Sequence, residues 1–225
     1  FMDIGAAWNE SPSAGTIAAY GQVCYVVDFT TQVLGWTFNS CAVHNYVQTG
    51  FQSWTDGLTV EYCWIGPGWG KEAFRGQGWC KNSTIRYNLF YNAVEEDPNE
   101  GSSSAPTAEI AIWDGSTSGD FDGNEIYGNV IWTTRNILHT SGCIIVGGNG
   151  SSWVGVSASN TKVYNNTIVG IQSGQALILV NGGTGNEVRN NLWYDCGAGV
   201  SASPNTSSNG SVGSNPFVGY TSPGS

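Results

Sequence analysis

The densest concentration of chemically capable side chains lies between Trp64 and Trp79. Trp64, Trp69 and Trp79 bring three indoles into this stretch, and Lys71, Glu72 and Arg75 bring two cations and a carboxylate. Flat indoles stack on sugar rings, and the charged trio would orient hydroxyl or acid groups of a bound glycan. The same tryptophans would serve equally as fillers of an aromatic-rich interior or interface. A second constellation, Asp120-Phe121-Asp122-Gly123-Asn124-Glu125, places hard oxygen donors on alternate residues around a glycine. Asp120, Asp122 and Asn124 could hold a calcium ion in this way, although an Asp/Gly turn opening a strand explains the same residues. No other cofactor is required by any motif. His44 and His139 stand alone, without a partner at ligand spacing. Gly-x-Ser-x-Gly, phosphate-loop and dinucleotide fingerprints are missing.

Composition narrows the partners. The 225 residues carry 7 Lys plus Arg against 17 Asp plus Glu, a formal charge of −10, and only 11% of positions are charged. Such a surface repels nucleic acid and anionic membrane. No apolar run approaches the roughly 18–20 residues of a membrane span. Six cysteines (Cys24, Cys41, Cys63, Cys80, Cys143 and Cys196) include no Cys-x-x-Cys, which removes the usual zinc and redox motifs. An even cysteine count with few lysines suits an extracellular, secreted protein. Asn-x-Ser/Thr sequons at Asn9, Asn82, Asn149, Asn165, Asn205 and Asn209 add a weak sign in the same direction. Cys24 with Cys41 and Cys63 with Cys80 are each 17 residues apart and could bridge neighbouring turns of the chain; buried free thiols are the alternative.

These residues need a scaffold, and an irregular repeat supplies it. Ile85-Arg86-Tyr87-Asn88-Leu89-Phe90, Ile126-Tyr127-Gly128-Asn129-Val130-Ile131, Val163-Tyr164-Asn165-Asn166-Thr167-Ile168 and Val188-Arg189-Asn190-Asn191-Leu192-Trp193 share one pattern. Looser copies read Val33-Leu34-Gly35-Trp36-Thr37-Phe38 and Val60-Glu61-Tyr62-Cys63-Trp64-Ile65. A flat strand would alternate with an interval of two throughout. An interval of three followed by two marks two short strands meeting at a bend. Asparagine tolerates left-handed backbone, and its amide can bond to equivalents above and below. Asn88, Asn129, Asn166 and Asn191 are therefore expected to stack as a ladder, with every buried amide paired.

Between the copies run further short apolar strands, such as Glu109-Ile110-Ala111-Ile112-Trp113 and Cys143-Ile144-Ile145-Val146. About three strands per coil, stacked in parallel, make an all-β, right-handed parallel β-helix of about 7–8 coils. Residues 31–200 would form the β-helix. Residues 1–30 would be an N-terminal extension or first coil, and residues 201–225 a Ser/Gly-rich cap or tail. The Ile-x-x-Asn-x-Phe strand-and-bend resembles that of the pectate-lyase-like superfamily over roughly residues 30–200. That resemblance implies action on acidic polysaccharides. Alginate-lyase-like members carry a Glu and then a basic residue in the coil before a strand like Arg86-Tyr87-Asn88. Glu72 fits the first position, whereas Gln77 and Gly78 occupy the second. No Asp-Asp, Gly-His-Gly or Arg-Ile-Lys of the polygalacturonase kind occurs.

Two functions follow. The first is a secreted, non-catalytic structural β-helix, a subunit of an extracellular fibre or surface appendage. It would associate with copies of itself through open ends that expose unpaired strand edges. The second is a carbohydrate-active β-helix, a polysaccharide lyase or hydrolase, or a glycan-binding module on the same surface, with a polysaccharide as partner. The incomplete catalytic constellation favours the first.

Overall fold

The computed structural model describes residues 2–5, 24–44, 46–94, 107–113, 121–134, 138–139, 141–147, 157–173, 176–197, 200–202 and 206–213. Among them every regular element is a strand, and every strand pairing is parallel. Three sheets hold nearly all of the strands, each taking about every third strand of the chain. Sheet A contains Met2–Gly5, Cys41–His44, Trp64–Ile65, Leu89–Tyr91, Val130–Trp132, Thr167–Val169, Leu192–Tyr194 and Gly210–Ser211. Sheet B contains Cys24–Leu34, Tyr46–Asp56, Gly68–Lys81, Ala108–Ile112, Ile144–Val146, Ile178–Val180 and Val200–Ala202. Sheet C contains Thr37–Asn39, Thr59–Glu61, Thr84–Arg86, Glu125–Tyr127, Lys162–Tyr164, Glu187–Arg189 and Thr206–Ser207. The chain visits C, then A, then B, and drops one rung each time, an order compatible with a parallel β-helix. Strands thus occur on both sides of the 31–200 span: Met2–Gly5 lies before it, Cys24–Leu34 and Val200–Ala202 cross its ends, and Thr206–Ser207 and Gly210–Ser211 lie after it.

The interval of three that interrupts strand alternation has a direct backbone cause. Between sheets C and A, each rung turns through one left-handed residue: Ser40, Tyr62, Tyr87, Gly128, Asn165, Asn190 or Ser208, with φ between 55° and 66°. The residue before that corner points outward and the residue after it points inward. On the inside, Val60, Ile85, Ile126, Val163 and Val188 stack from sheet C against Ile65, Phe90, Ile131 and Ile168 from sheet A, all buried. Phe51, Phe74, Ile110, Ile144 and Ile178 of sheet B close the core.

The first inward residue after the corner is the ladder. Nδ2 of Asn88, Asn129, Asn166 and Asn191 donates to Oδ1 of the next asparagine at 2.9–3.0 Å, and the backbone N–H donates to the same oxygen at 2.9–3.1 Å. The second amide hydrogen of each goes to a carbonyl one rung back: Val60, Ile85, Ile126 and Val163 respectively. Every buried amide is thereby saturated, the condition for burying it without a desolvation penalty. The ladder is longer than the repeat announces. Asn209 receives Asn191 at 2.9 Å, and at the other end Cys63 and Cys41 continue the row.

Two expectations need correction. The copy beginning at Val33 is out of register, because sheet C aligns Phe38 with Val60 and Ile85. Val33-Leu34-Gly35-Trp36-Thr37-Phe38 straddles a different corner, from B to C, which also turns on a left-handed residue, Gly35 at φ 65°. The two corners impose similar spacing, so one mimics the other. The disulfides also fail: Cys41, Cys63 and Cys80 are free thiols, as are Cys143 and Cys196. Cys63 lies on the ladder row with its Sγ towards the Glu61 and Phe38 carbonyls, while Cys80 closes a sheet B strand against Ser83. Burial pushes the Cys63 thiol up to about 11 and that of Cys80 up to about 12. The Cys24 side chain lies outside the described residues.

Candidate functional site

Lys71, Glu72 and Arg75 come together on the Gly68–Lys81 strand of sheet B, through an irregularity of that sheet. On a flat strand, residues three apart face opposite sides. Here Ala73 and Phe74 both belong to the core, as do Cys143 and Ile144 and then Leu177 and Ile178 on later rungs. Two consecutive inward residues put a bend in the sheet, so Glu72 and Arg75 both lie on its outer face. The register carries the same bend across rungs. Thr49 pairs with Glu72 and Gln52 with Arg75, while on the next rung Ala108 and Ala111 join Trp113 and Ile145 in a second apolar cluster.

Glu72 is buried, and Thr49 Oγ1 donates to its Oε2 at 3.5 Å. Burial raises its carboxyl to about 7, outweighing the pull of Arg75, Lys71 and the Thr49 hydroxyl in the other direction. At neutral pH this acid is poised between donor and acceptor, the condition for general acid or base work. Beside it, Gln52 Oε1 and Arg75 Nε are buried atoms with no hydrogen-bond partner among the described residues. An orphaned amide oxygen, an orphaned guanidinium nitrogen and a half-protonated carboxyl on two adjacent rungs suit the hydroxyls and carboxylate of an acidic sugar. Sequence proximity reveals Lys71, Glu72 and Arg75. Thr49 and Gln52 are missed because their pairing depends on a register shift between Gln48 and Thr49.

The remaining candidates separate. Trp64 belongs to sheet A, half exposed and edge-on to Tyr91 at 6.2 Å, away from the outer face of sheet B. The side chains of Trp69 and Trp79 lie outside the described residues. Asn124 is turned inward: its Nδ2 donates to the Cys80 and Phe121 carbonyls and its Oδ1 accepts the Ser83 N–H. It belongs to a second polar stack beside sheet C, where Thr161 and Asn186 repeat the same bond. No oxygen of Asn124 is therefore left to coordinate a cation on the solvent side. Exposed Asp122 accepts the Ser159 N–H at 2.9 Å, and Asp120 lies outside the described residues. Among the described residues, no group of three or more His, Cys, Asp or Glu side chains is disposed around a common metal position.

His139 does have a partner, one that linear spacing conceals. Its Nε2 lies 3.3 Å from Glu109 Oε1, and both side chains are fully buried. Glu109 is the register neighbour of Ala73 and so sits on the inner side, behind the sheet that carries Glu72. Glu109 Oε2 and His139 Nδ1 make no hydrogen bond among the described residues. Nearby, the Tyr46 hydroxyl donates to the Ala93 carbonyl, and its phenol is raised well above its ordinary value by burial and then by Glu109.

No protein family, curated protein or solved structure matches this chain. Among the described residues, no helix is long and apolar enough to cross a membrane.

Proposed function

We propose that the chain is a right-handed parallel β-helix of the pectate-lyase-like kind, secreted, that binds an acidic polysaccharide across the outer face of sheet B. The observation that carries this reading is the bend that sets Glu72 and Arg75 on one face, above Thr49 and Gln52. Arg75 and Lys71 would take the uronate carboxylate. Glu72, neutral for much of its time near pH 7, would donate to a hydroxyl or glycosidic oxygen. Native affinity gels containing alginate or polygalacturonate, run with calcium and with EDTA, test it. The wild type should be retarded, and Arg75→Ala should weaken retardation about tenfold or more, the loss of one charge-assisted contact. Unretarded wild type in every gel would refute the reading. New reducing ends or unsaturated uronate absorbance, lost in Glu72→Gln, would mark the catalytic form; binding without either marks a non-catalytic one.

Assembly of copies through their ends is the second reading. The observation favouring it is the last rung among the described residues. Asn209 uses its Oδ1 on Asn191 and one amide hydrogen on the Val188 carbonyl. At Asn191 the backbone N–H and an amide hydrogen both go to the asparagine of the next rung, and a neighbouring copy would supply that rung to Asn209. Sedimentation velocity over a wide concentration range tests this; a strictly monomeric protein would exclude it.

A further inference from the structure

The outer faces of sheets C and A treat charge in opposite ways. On sheet C, charged groups are paired within the face. Asn39 Nδ2 and Arg86 Nε both donate to Glu61 at 2.7 Å, and Lys162 and Arg189 bond Glu125 and Glu187. On sheet A, the strands from Cys41–His44 to Leu192–Tyr194 contain no Asp, Glu, Lys or Arg at all. Aromatic rings hold that face instead. Trp64, Tyr91 and Trp132 run through three successive rungs with centroids 6.2 and 5.2 Å apart. At the adjoining corner Tyr62 and Tyr87 stack at 5.4 Å. Tyr62 is 57% exposed, Trp64 49% and Tyr87 46%.

We propose that this aromatic track, on sheet A and its corner with sheet C, is a second carbohydrate-binding surface, one that takes an uncharged polysaccharide. The absence of charge selects the occupant. The sheet A strands carry no cation, and the one guanidinium beside the corner, Arg86, 5.9 Å from the Tyr87 ring centroid, is already engaged by Glu61, so in a chain of net charge −10 the track offers little to a polyuronate. The exposed side chains of Tyr62, Trp64 and Tyr87 combine apolar ring surface with polar rims, the tyrosine hydroxyls and one indole N–H. Sugar rings match that combination, having C–H faces for stacking and hydroxyl edges for hydrogen bonds. A second copy of the chain would bring the same net charge against it and leave those polar rims without partners. The surface is on a different sheet from Glu72 and Arg75 and does not depend on their role.

Native affinity gels containing hydroxyethylcellulose or galactomannan test the proposal, with Trp64→Ala and Tyr62→Ala as variants. Both side chains are about half exposed, so the variants keep the core intact. Wild type should be retarded by at least one of the two polymers. Each substitution should weaken retardation about threefold to tenfold, the value of one stacked ring. Glu72→Gln should leave this retardation unchanged while altering behaviour on polyuronate, which separates the two surfaces. No retardation by either neutral polymer would overturn the proposal. So would a dimer in sedimentation equilibrium that Trp64→Ala abolishes, because the occupant would then be another copy of the chain.

Discussion

The backbone N–H of Cys63 donates to Oδ1 of Asn88 at 2.9 Å, the bond that each asparagine of the ladder gives to the next. A thiol thus occupies an amide position, and its Sγ reaches towards the Phe38 carbonyl at 3.7 Å, where an Asn Nδ2 would donate. Cys63→Asn should therefore extend the ladder by one rung. We expect it to stabilise the protein by about 1 kcal/mol, the net value of an added buried hydrogen bond. Urea unfolding would read this as a higher midpoint at unchanged slope; a lower midpoint would show that the site does not accept the amide.

Removing an amide from the middle of the row acts in the opposite direction. Asn166→Ala leaves the Asn129 backbone N–H and Nδ2, the Asn191 Oδ1 and the Ile126 carbonyl short of partners. The expected loss is roughly 3–5 kcal/mol, because several buried groups are orphaned together. Asn209→Ala, at the partly exposed end of the described row, should cost about 1–2 kcal/mol. Equal losses in chemical denaturation would mean that the ladder does not act as a continuous row.

Glu72 predicts a pH dependence. Its folded value of about 7 lies above the ordinary 4.5, so the folded state holds the proton more tightly than the unfolded chain. The resulting stability is complete below about pH 4.5 and is lost as pH rises through about 7. The loss is about 3 kcal/mol. Glu72→Gln should remove this step from the stability profile measured by denaturation between those pH values. An unchanged profile would place the titration on another group.

Gly128 tests the corner. It turns at φ 66°, and a Cβ there would sit 2.6 Å from the Tyr87 ring. Gly128→Ala should cost about 1–3 kcal/mol, combining left-handed strain with a displaced aromatic ring. Melting temperature should fall by several degrees, and the Tyr87→Ala background should recover part of that loss.

Much of this architecture is readable in the residues, for identifiable reasons. The left-handed corner forces an interval of three, so Asn88, Asn129, Asn166 and Asn191 reveal themselves by spacing. Asn209 does not, because its flanking strands, Thr206–Ser207 and Gly210–Ser211, lack the apolar residues that mark a rung. The grouping of Lys71, Glu72 and Arg75 is visible in the chain. That Glu72 and Arg75 share a face is not, since it needs a bend that places Ala73 and Phe74 both inside. Glu109 and His139 escape entirely. They lie 30 residues apart and meet only because the chain descends one rung between them.

The ladder links residues separated by 25, 41, 37, 25 and 18 positions, yet its bonds hardly vary. Only the few residues around each corner dictate how one layer sits on the next, and the connecting length is unconstrained. The corner spine is thus indifferent to what is strung between its rungs. New segments could be grafted into the longer connections, and existing ones exchanged, without renegotiating the spine that carries them.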